Sequence, residues 1–134
     1  DKFLTRIEAT TMPAKERANA PTEAEMLEIK GILENYLKSS KIFLDPNLSI
    51  ESLAKKLHIQ SRKISIVINH LYNKNFHSFI NDFRISEALE LMKLNPSANI
   101  EELYQKVGFN SRSTFNRVFK SVTGKAPSEY ISSH

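Results

Sequence analysis

The sequence predicts an all-α protein, a seven-helix domain in which two copies of one small helical unit are joined by a long central helix. Three observations predict it. Apolar residues recur at three- and four-residue steps along most of the chain, and no stretch alternates as a half-buried strand would. Only three glycines and five prolines occur in 134 residues, too few for a turn-rich sheet protein. The third observation is an internal repeat at an offset of about 50 residues.

The elements follow in order. Residues 1–21, interrupted by Pro13 and Pro21, have no sustained period and read as a flexible arm. Thr22-Glu23-Ala24-Glu25 has the form of a capping box, with Thr22 accepting a free N–H and Glu25 reaching back. It opens a helix carrying Met26, Ile29, Ile32, Leu33, Tyr36 and Leu37. Asp45-Pro46 is a turn. Ser49 caps a short helix over 50–57, a second runs over about 61–71, and Asn73 is placed to stop it in the left-handed region. A long helix is expected over about 77–94, with Phe79, Ile80, Phe83, Ala88, Leu91 and Met92 inward, ended by Asn95-Pro96. Asn99, with Glu102 completing a second capping box, opens a helix over 100–107. Another follows at about 111–122, stopped by Gly124, and a last turn spans 127–132. The domain is thus expected over 22–134, with its first unit at about 49–75 and its second at about 99–132.

The repeat matches polar and turn positions as well as apolar ones. At an offset of 50, Ile50, Leu53, Leu57, Ile59, Ser61 and Arg62 fall on Ile100, Leu103, Val107, Phe109, Ser111 and Arg112. At 51, allowing one inserted residue, Ile64, Val67 and Ile68 fall on Phe115, Val118 and Phe119, and Asn73-Lys74 falls on Gly124-Lys125. Two short helices with a tight turn, small at Ala54 where they cross, form a helix-turn-helix. The turn needs a residue tolerant of positive φ. The second copy supplies Gly108 and the first His58. Tyr104 stands where the second copy should be small, which implies a different crossing or a ring that slides outward.

Composition bounds the chemistry. The chain has no cysteine, which excludes disulfides, thiolate zinc sites and cysteine nucleophiles. Three scattered glycines cannot build a phosphate-cradling loop. Residues 1–45 hold 7 basic and 8 acidic side chains, and residues 46–134 hold 12 and 7, so the basic excess lies with the repeat. A polyanionic partner is the implied one. His58, His70, His77 and His134 are scattered, so no metal or other cofactor is expected. Glu101 and Glu102, adjacent on a helix, point apart, and Glu87 with Glu90 reads as a solvated face. No catalytic residue and no enzyme activity are therefore expected. No apolar run approaches the roughly 18 residues a membrane span needs. No signal-peptide pattern opens the chain, so no membrane contact and a cytoplasmic location are expected for this segment. The first residue is Asp1, which reads as a piece of a longer protein, membrane-linked or not.

The stretch Val107-Gly108-Phe109-Asn110-Ser111-Arg112-Ser113-Thr114-Phe115-Asn116-Arg117-Val118-Phe119-Lys120, with Gly124-Lys125-Ala126-Pro127-Ser128-Glu129-Tyr130, resembles the second motif of AraC/XylS-type transcriptional regulators. Residues 76–92, with Arg84, Ala88 and Leu91, are similar to that family's linker helix. The resemblance covers roughly 30–132. Departures are Tyr104, His58, Asn73, Ala126 and Ile131. It implies that the chain is the output domain of a bacterial regulator, preceded by a sensor or effector domain, and that its partner is double-stranded DNA. Both reading helices would enter successive major-groove segments about 34 Å apart.

Exposed side chains of a helix in the major groove reach base edges. On the first reading helix these are Arg62, Ser65, Ile66 and Asn69. Arg62 suits guanine, Asn69 suits adenine or phosphate, and Ile66 suits a thymine methyl or is merely tolerated. On the second, the resemblance implies base contacts by Arg112, Ser113 and Asn116, and a base or phosphate contact by Arg117. Arg62 and Arg112 fall on equivalent positions of the repeat, which favours reading over plain solvation. Lys63, Lys74, Lys120 and Lys125 are phosphate candidates, together with helix N-termini at 50, 77, 100 and 127. Arg84 is expected to be structural, paired with a nearby carboxylate. The competing reading is a helical protein–protein adaptor, which neutral residues in place of the arginines would have favoured.

Overall fold

The computed structural model describes residues 20–97 and 99–132. The arm expected over 1–21 therefore lies almost wholly outside the described residues, as does His134. Among the described residues there are seven α-helices and no strand: α1 (Glu23–Ser40), α2 (Ile50–Leu57), α3 (Ser61–Tyr72), α4 (Phe76–Leu94), α5 (Ile100–Lys106), α6 (Arg112–Thr123) and α7 (Pro127–Ser132). A 3-10 turn, Ile42–Leu44, follows α1.

The chain divides into two compact units. Among the described residues the first contains residues 20–41 and Ser49–Phe79, and the second contains Ile42–Leu48 with residues 80–97 and 99–132.

In the first unit, Thr22 accepts from the Glu25 N–H at 3.1 Å, as expected of a cap. The reciprocal half is not made, because the Glu25 carboxylate accepts instead from Lys63 Nζ at 3.0 Å. Pro21 and Met26, at the two positions of a hydrophobic staple, are both buried. Met26, Ile29, Leu33 and Leu37 bury one stripe of α1. Ile32, expected inward, is 38% exposed. Two cross-links tie α1 to α3. Lys63 meets Glu25, and Tyr72 Oη donates to Glu34 at 2.5 Å. Both pairs are 38 residues apart, so the two helices run parallel and in constant register. The Glu34 carboxylate is held below its ordinary range, first by the Tyr72 hydroxyl and further by Lys30. Burial, with that same bond, raises the Tyr72 phenol. Leu53, Ala54, Ile64, Val67 and Ile68 complete the core, and the Phe79 ring lies 4.7 Å from that of Tyr72.

The turns behave as the sequence predicts. Ser49 caps α2, and Ser52 at the third helical position returns the bond, completing a box the sequence reading missed. His58 and Asn73 have φ of 57° and 56°. The long helix starts one residue early, at Phe76, because Asn75 Oδ1 accepts from the Ser78 N–H at 2.8 Å.

In the second unit, Ile85, Ala88 and Met92 enter a core with Leu103, Val107, Phe109, Phe115, Val118 and Phe119. Ile85 was not expected inward, whereas Phe83 and Leu91 are only half-buried. The cause is rotation. Ile85, Ala88 and Met92 lie at helical spacing on one stripe, and Phe79 and Phe83 lie on the opposite one. Phe83 covers Phe43, with ring centroids 5.6 Å apart. Phe109, Phe115, Phe119 and Tyr130 form a chain of tilted and edge-to-face rings at 5.4–5.6 Å. The Tyr104 ring lies at the margin of this core, with its hydroxyl accepting from the exposed Gln105 amide, so it has slid outward. Asn99 caps α5 by accepting from the Glu101 N–H. Glu102 does not complete a box there. Its N–H donates to the Asn99 carbonyl.

Arg84 does not pair with a carboxylate. Its Nε donates to the Phe43 carbonyl at 2.6 Å and its Nη2 to the Asp45 carbonyl at 2.9 Å. The guanidinium also lies 5.7 Å from the Phe109 ring centroid. Burial lowers its proton affinity, and Asp45 offsets part of that. Gly108 backs this clamp. Its φ is 95°, and a Cβ there would sit 2.6 Å from the Phe43 carbonyl oxygen and 2.8 Å from Arg84 Nε. Glycine is required twice over, by conformation and by space.

Candidate nucleic-acid interface

Each unit contains two helices joined by a tight turn. In both turns the N–H five residues past the crossing position closes back on it, Ile59 on the Ala54 carbonyl at 3.1 Å and Phe109 on that of Tyr104 at 2.9 Å. The offset of 50 therefore holds through His58 and Gly108. It breaks immediately afterwards. Gln60 is the N-cap of α3 and Ser111 the N-cap of α6, so Asn110 is the inserted residue.

This insertion corrects the pairing of the arginines. Ser61 is the first residue of α3, and its partner is Arg112, the first residue of α6. Arg62 corresponds to Ser113, and Arg62 and Arg112 are not equivalent. The sequence reading placed the insertion after the arginines because Ser-Arg occurs in both copies. The caps decide otherwise. Ser111 accepts from the Thr114 N–H at 3.1 Å, while Gln60 makes no side-chain cap bond.

With the register set, the outward faces can be compared position by position. On α3, Ser65 and Asn69 are exposed and Arg62 and Ile66 half-buried. The Arg62 Nε is buried without a partner, and its Nη2 donates to the Gln60 side chain at 3.5 Å. On α6, Arg112, Ser113, Arg117 and Lys120 are exposed and Asn116 half-buried. Positions four and seven residues on share a helix face. The centre line of α3 is thus Arg62, Ile66, Asn69, and that of α6 is Ser113, Arg117, Lys120. Lys120, expected as a phosphate contact, lies exposed on the same helix face as Ser113 and Arg117. Arg112 stands at the margin, with Nη1 3.4 Å from Glu101 Oε1.

The remaining lysines divide. Lys63, expected as a phosphate contact, is half-buried and pairs with Glu25 of α1 at 3.0 Å. Lys74 is half-buried and Lys125 exposed, each just past the left-handed residue that ends a reading helix. The first N–H groups of α2 and α4 are partly used by their own caps, Ser49 and Asn75. Among the described residues no three His, Cys, Asp or Glu side chains are grouped to hold a metal ion. None of the described helices is long and apolar enough to cross a membrane.

The family model of a helix-turn-helix domain matches residues 53–133, more than half of the chain. The chain belongs to the AraC/XylS-type helix-turn-helix family. Among curated relatives of this helix-turn-helix domain, the Msm operon regulatory protein of Streptococcus mutans is 27% identical over 124 residues, covering 92% of this chain and 42% of that protein. The arabinose operon regulatory protein of Escherichia coli is 31% identical over 86 residues, 64% of this chain and 29% of that one. The C-terminal domain of AraT, a response regulator from Geobacillus stearothermophilus, has a similar structure. Its TM-score is 0.62 at 26% identity, over 70% of this chain and 77% of that one. The chain spans less than half the length of these two curated relatives.

Proposed function

We propose that this helix-turn-helix domain binds duplex DNA sequence-specifically as the output domain of a bacterial transcriptional regulator, in the cytoplasm, under the control of a sensor or effector domain elsewhere in the full-length protein. Family membership supports the DNA-binding class. The observation that carries the site is the outward line of α6, where Ser113, Arg117 and Lys120 are exposed at the spacing that faces a groove. Each unit offers one reading helix to a segment of major groove. Arg62, Ser65, Ile66 and Asn69 read from α3, and Arg112, Ser113, Asn116 and Arg117 read from α6. Lys74, Lys120 and Lys125 contact phosphates. Lys63 contributes least, because Glu25 already neutralises it.

The buried, unpaired Arg62 Nε fits this role. An unsatisfied donor is costly inside a protein, and a base or phosphate acceptor would satisfy it once the Arg62 side chain turns outward on binding. The test is selection of bound sites from a random duplex pool, followed by titration of the selected site across salt concentrations. With about six phosphates neutralised, the slope of log K against log salt is expected near −5. Absence of any enriched site, or a slope near zero, defeats the proposal.

A further inference from the structure

We infer that Glu101 is a specificity-determining residue: its carboxylate positions the Arg112 guanidinium for base reading and penalises sites where Arg112 finds no acceptor. The inference rests on the DNA-binding proposal above.

The geometry is specific to the second unit. Glu101 sits in the first turn of α5 and Arg112 in the first turn of α6, so the pair bridges the two helices of one helix-turn-helix. The contact uses Arg112 Nη1 and leaves the Nε–Nη2 edge free. That edge carries two parallel donors, the pattern that guanine accepts bidentately. The first unit has the same carboxylate, Glu51, at the equivalent helix position, but Ser61 stands where Arg112 does. The pair therefore exists in one copy only, and helix N-terminal electrostatics, which both glutamates satisfy, do not explain it.

The two side chains are 59% and 70% exposed, so the pair adds little to the stability of the free domain. At a DNA interface the balance changes. Water leaves, and the local dielectric falls. A carboxylate beside a polyanion is then unfavourable unless a cation stays with it. Glu101 thus holds Arg112 in place and charges every sequence a repulsive cost. Only a base pair that engages the free edge of Arg112 offsets that cost, so the expected signature is discrimination gained at the expense of general affinity.

The experiment compares the parent domain with Glu101→Gln, Glu102→Gln, Arg112→Ala and the double variant Glu101→Gln/Arg112→Ala. Each is titrated against the selected site, against that site with each base pair replaced in turn, and against random duplex. Arg112→Ala is expected to lower discrimination at one base pair about tenfold or more. Glu101→Gln is expected to lower it at that same base pair by about threefold to fivefold while tightening binding to random duplex. The double variant should discriminate no worse than Arg112→Ala alone. Glu102→Gln makes the same charge change in the same helical turn without touching Arg112 and should tighten random binding while leaving discrimination as in the parent. Unchanged discrimination in Glu101→Gln, or equal losses in Glu101→Gln and Glu102→Gln, overturns the inference. If Arg112→Ala preserves discrimination at every position, Arg112 does not read bases and the inference falls while DNA binding stands. A parent that enriches no site defeats the DNA-binding proposal as well.

Discussion

The two units solve one folding problem with different residues, and the contrast is sharpest at their turns and on their reading helices. In the first unit the left-handed turn residue is His58, at φ 57° and exposed. In the second it is Gly108, at φ 95° and pressed against the Phe43 carbonyl and Arg84. The first turn demands only a backbone conformation, which a histidine reaches at modest cost. The second demands conformation and space together, because the Arg84 clamp on the Phe43 and Asp45 carbonyls lies directly behind it. Sequence-equivalent positions thus carry unequal structural weight.

The reading helices differ in a parallel way. On α3 the centre line holds its charge first, at Arg62, followed by Ile66 and Asn69. On α6 it begins neutral, at Ser113, and carries Arg117 and Lys120. Register-matched positions have exchanged their chemistry. The second unit is suited to electrostatic anchoring, and the first to contacts that depend on fit and hydrogen bonding. A Lys63 neutralised by Glu25 deepens the difference.

The largest expected effect breaks the comparison at the turns. Gly108→Ala should destabilise the second unit by about 2–4 kcal/mol, since strain and the clash with the Phe43 carbonyl add. His58→Gly should change stability by about 1 kcal/mol or less, in the stabilising direction. Denaturant unfolding of both variants checks this, and equal effects would remove the distinction.

Next is the anchoring of α1 on α3. Tyr72→Phe should cost about 1–2 kcal/mol at neutral pH, because the Glu34 carboxylate loses its strongest partner. The sign of the pH dependence follows from the direction of the shift. A carboxyl whose pKa is lowered in the folded state adds stability above its unfolded value of 4.5, and that stability is lost as pH falls. The parent should therefore lose more stability than Tyr72→Phe on acidification below pH 4.5. Thermal melts across that range measure it.

A smaller effect sharpens the contrast between the reading helices. Lys120→Ala should shallow the salt slope by about one unit, whereas Lys63→Ala should leave it nearly unchanged. Ile66→Arg, which gives α3 the charge that α6 carries at Arg117, should steepen the slope by about one unit. Salt titrations of the three variants on one duplex decide whether the units divide the work as described.

The smallest effect lies on α1. A Cβ at Gly31 would meet nothing within 4 Å. Gly31→Ala should stabilise the first unit by about 0.5–1 kcal/mol, because the helix interior gains propensity and loses no contact. Destabilisation would show that this helix face is not open.

Periodicity and punctuation in the sequence alone determined all seven helices, and every end they set is correct to within a residue; they set no end for the first helix, which stops at Ser40. They also determined the repeat, though not the place of its inserted residue, and the three left-handed stops at His58, Asn73 and Gly124; of the side chains expected outward, Ser65, Asn69, Arg112, Ser113 and Arg117 are exposed while Arg62, Ile66 and Asn116 are half-buried. These are local properties. An apolar stripe, a capping serine and a glycine after a helix act within a few residues of themselves, so their effects can be read where they stand. Tertiary structure decided the rest. It gave Glu25 to Lys63 rather than to its own cap, and Arg84 to two carbonyls rather than to a carboxylate. It brought Glu101 to Arg112 across a turn. Each of these joins side chains distant in sequence, or chooses between two partners that local pattern leaves equal. Only the packing of one helix on another supplies the distance that decides between them.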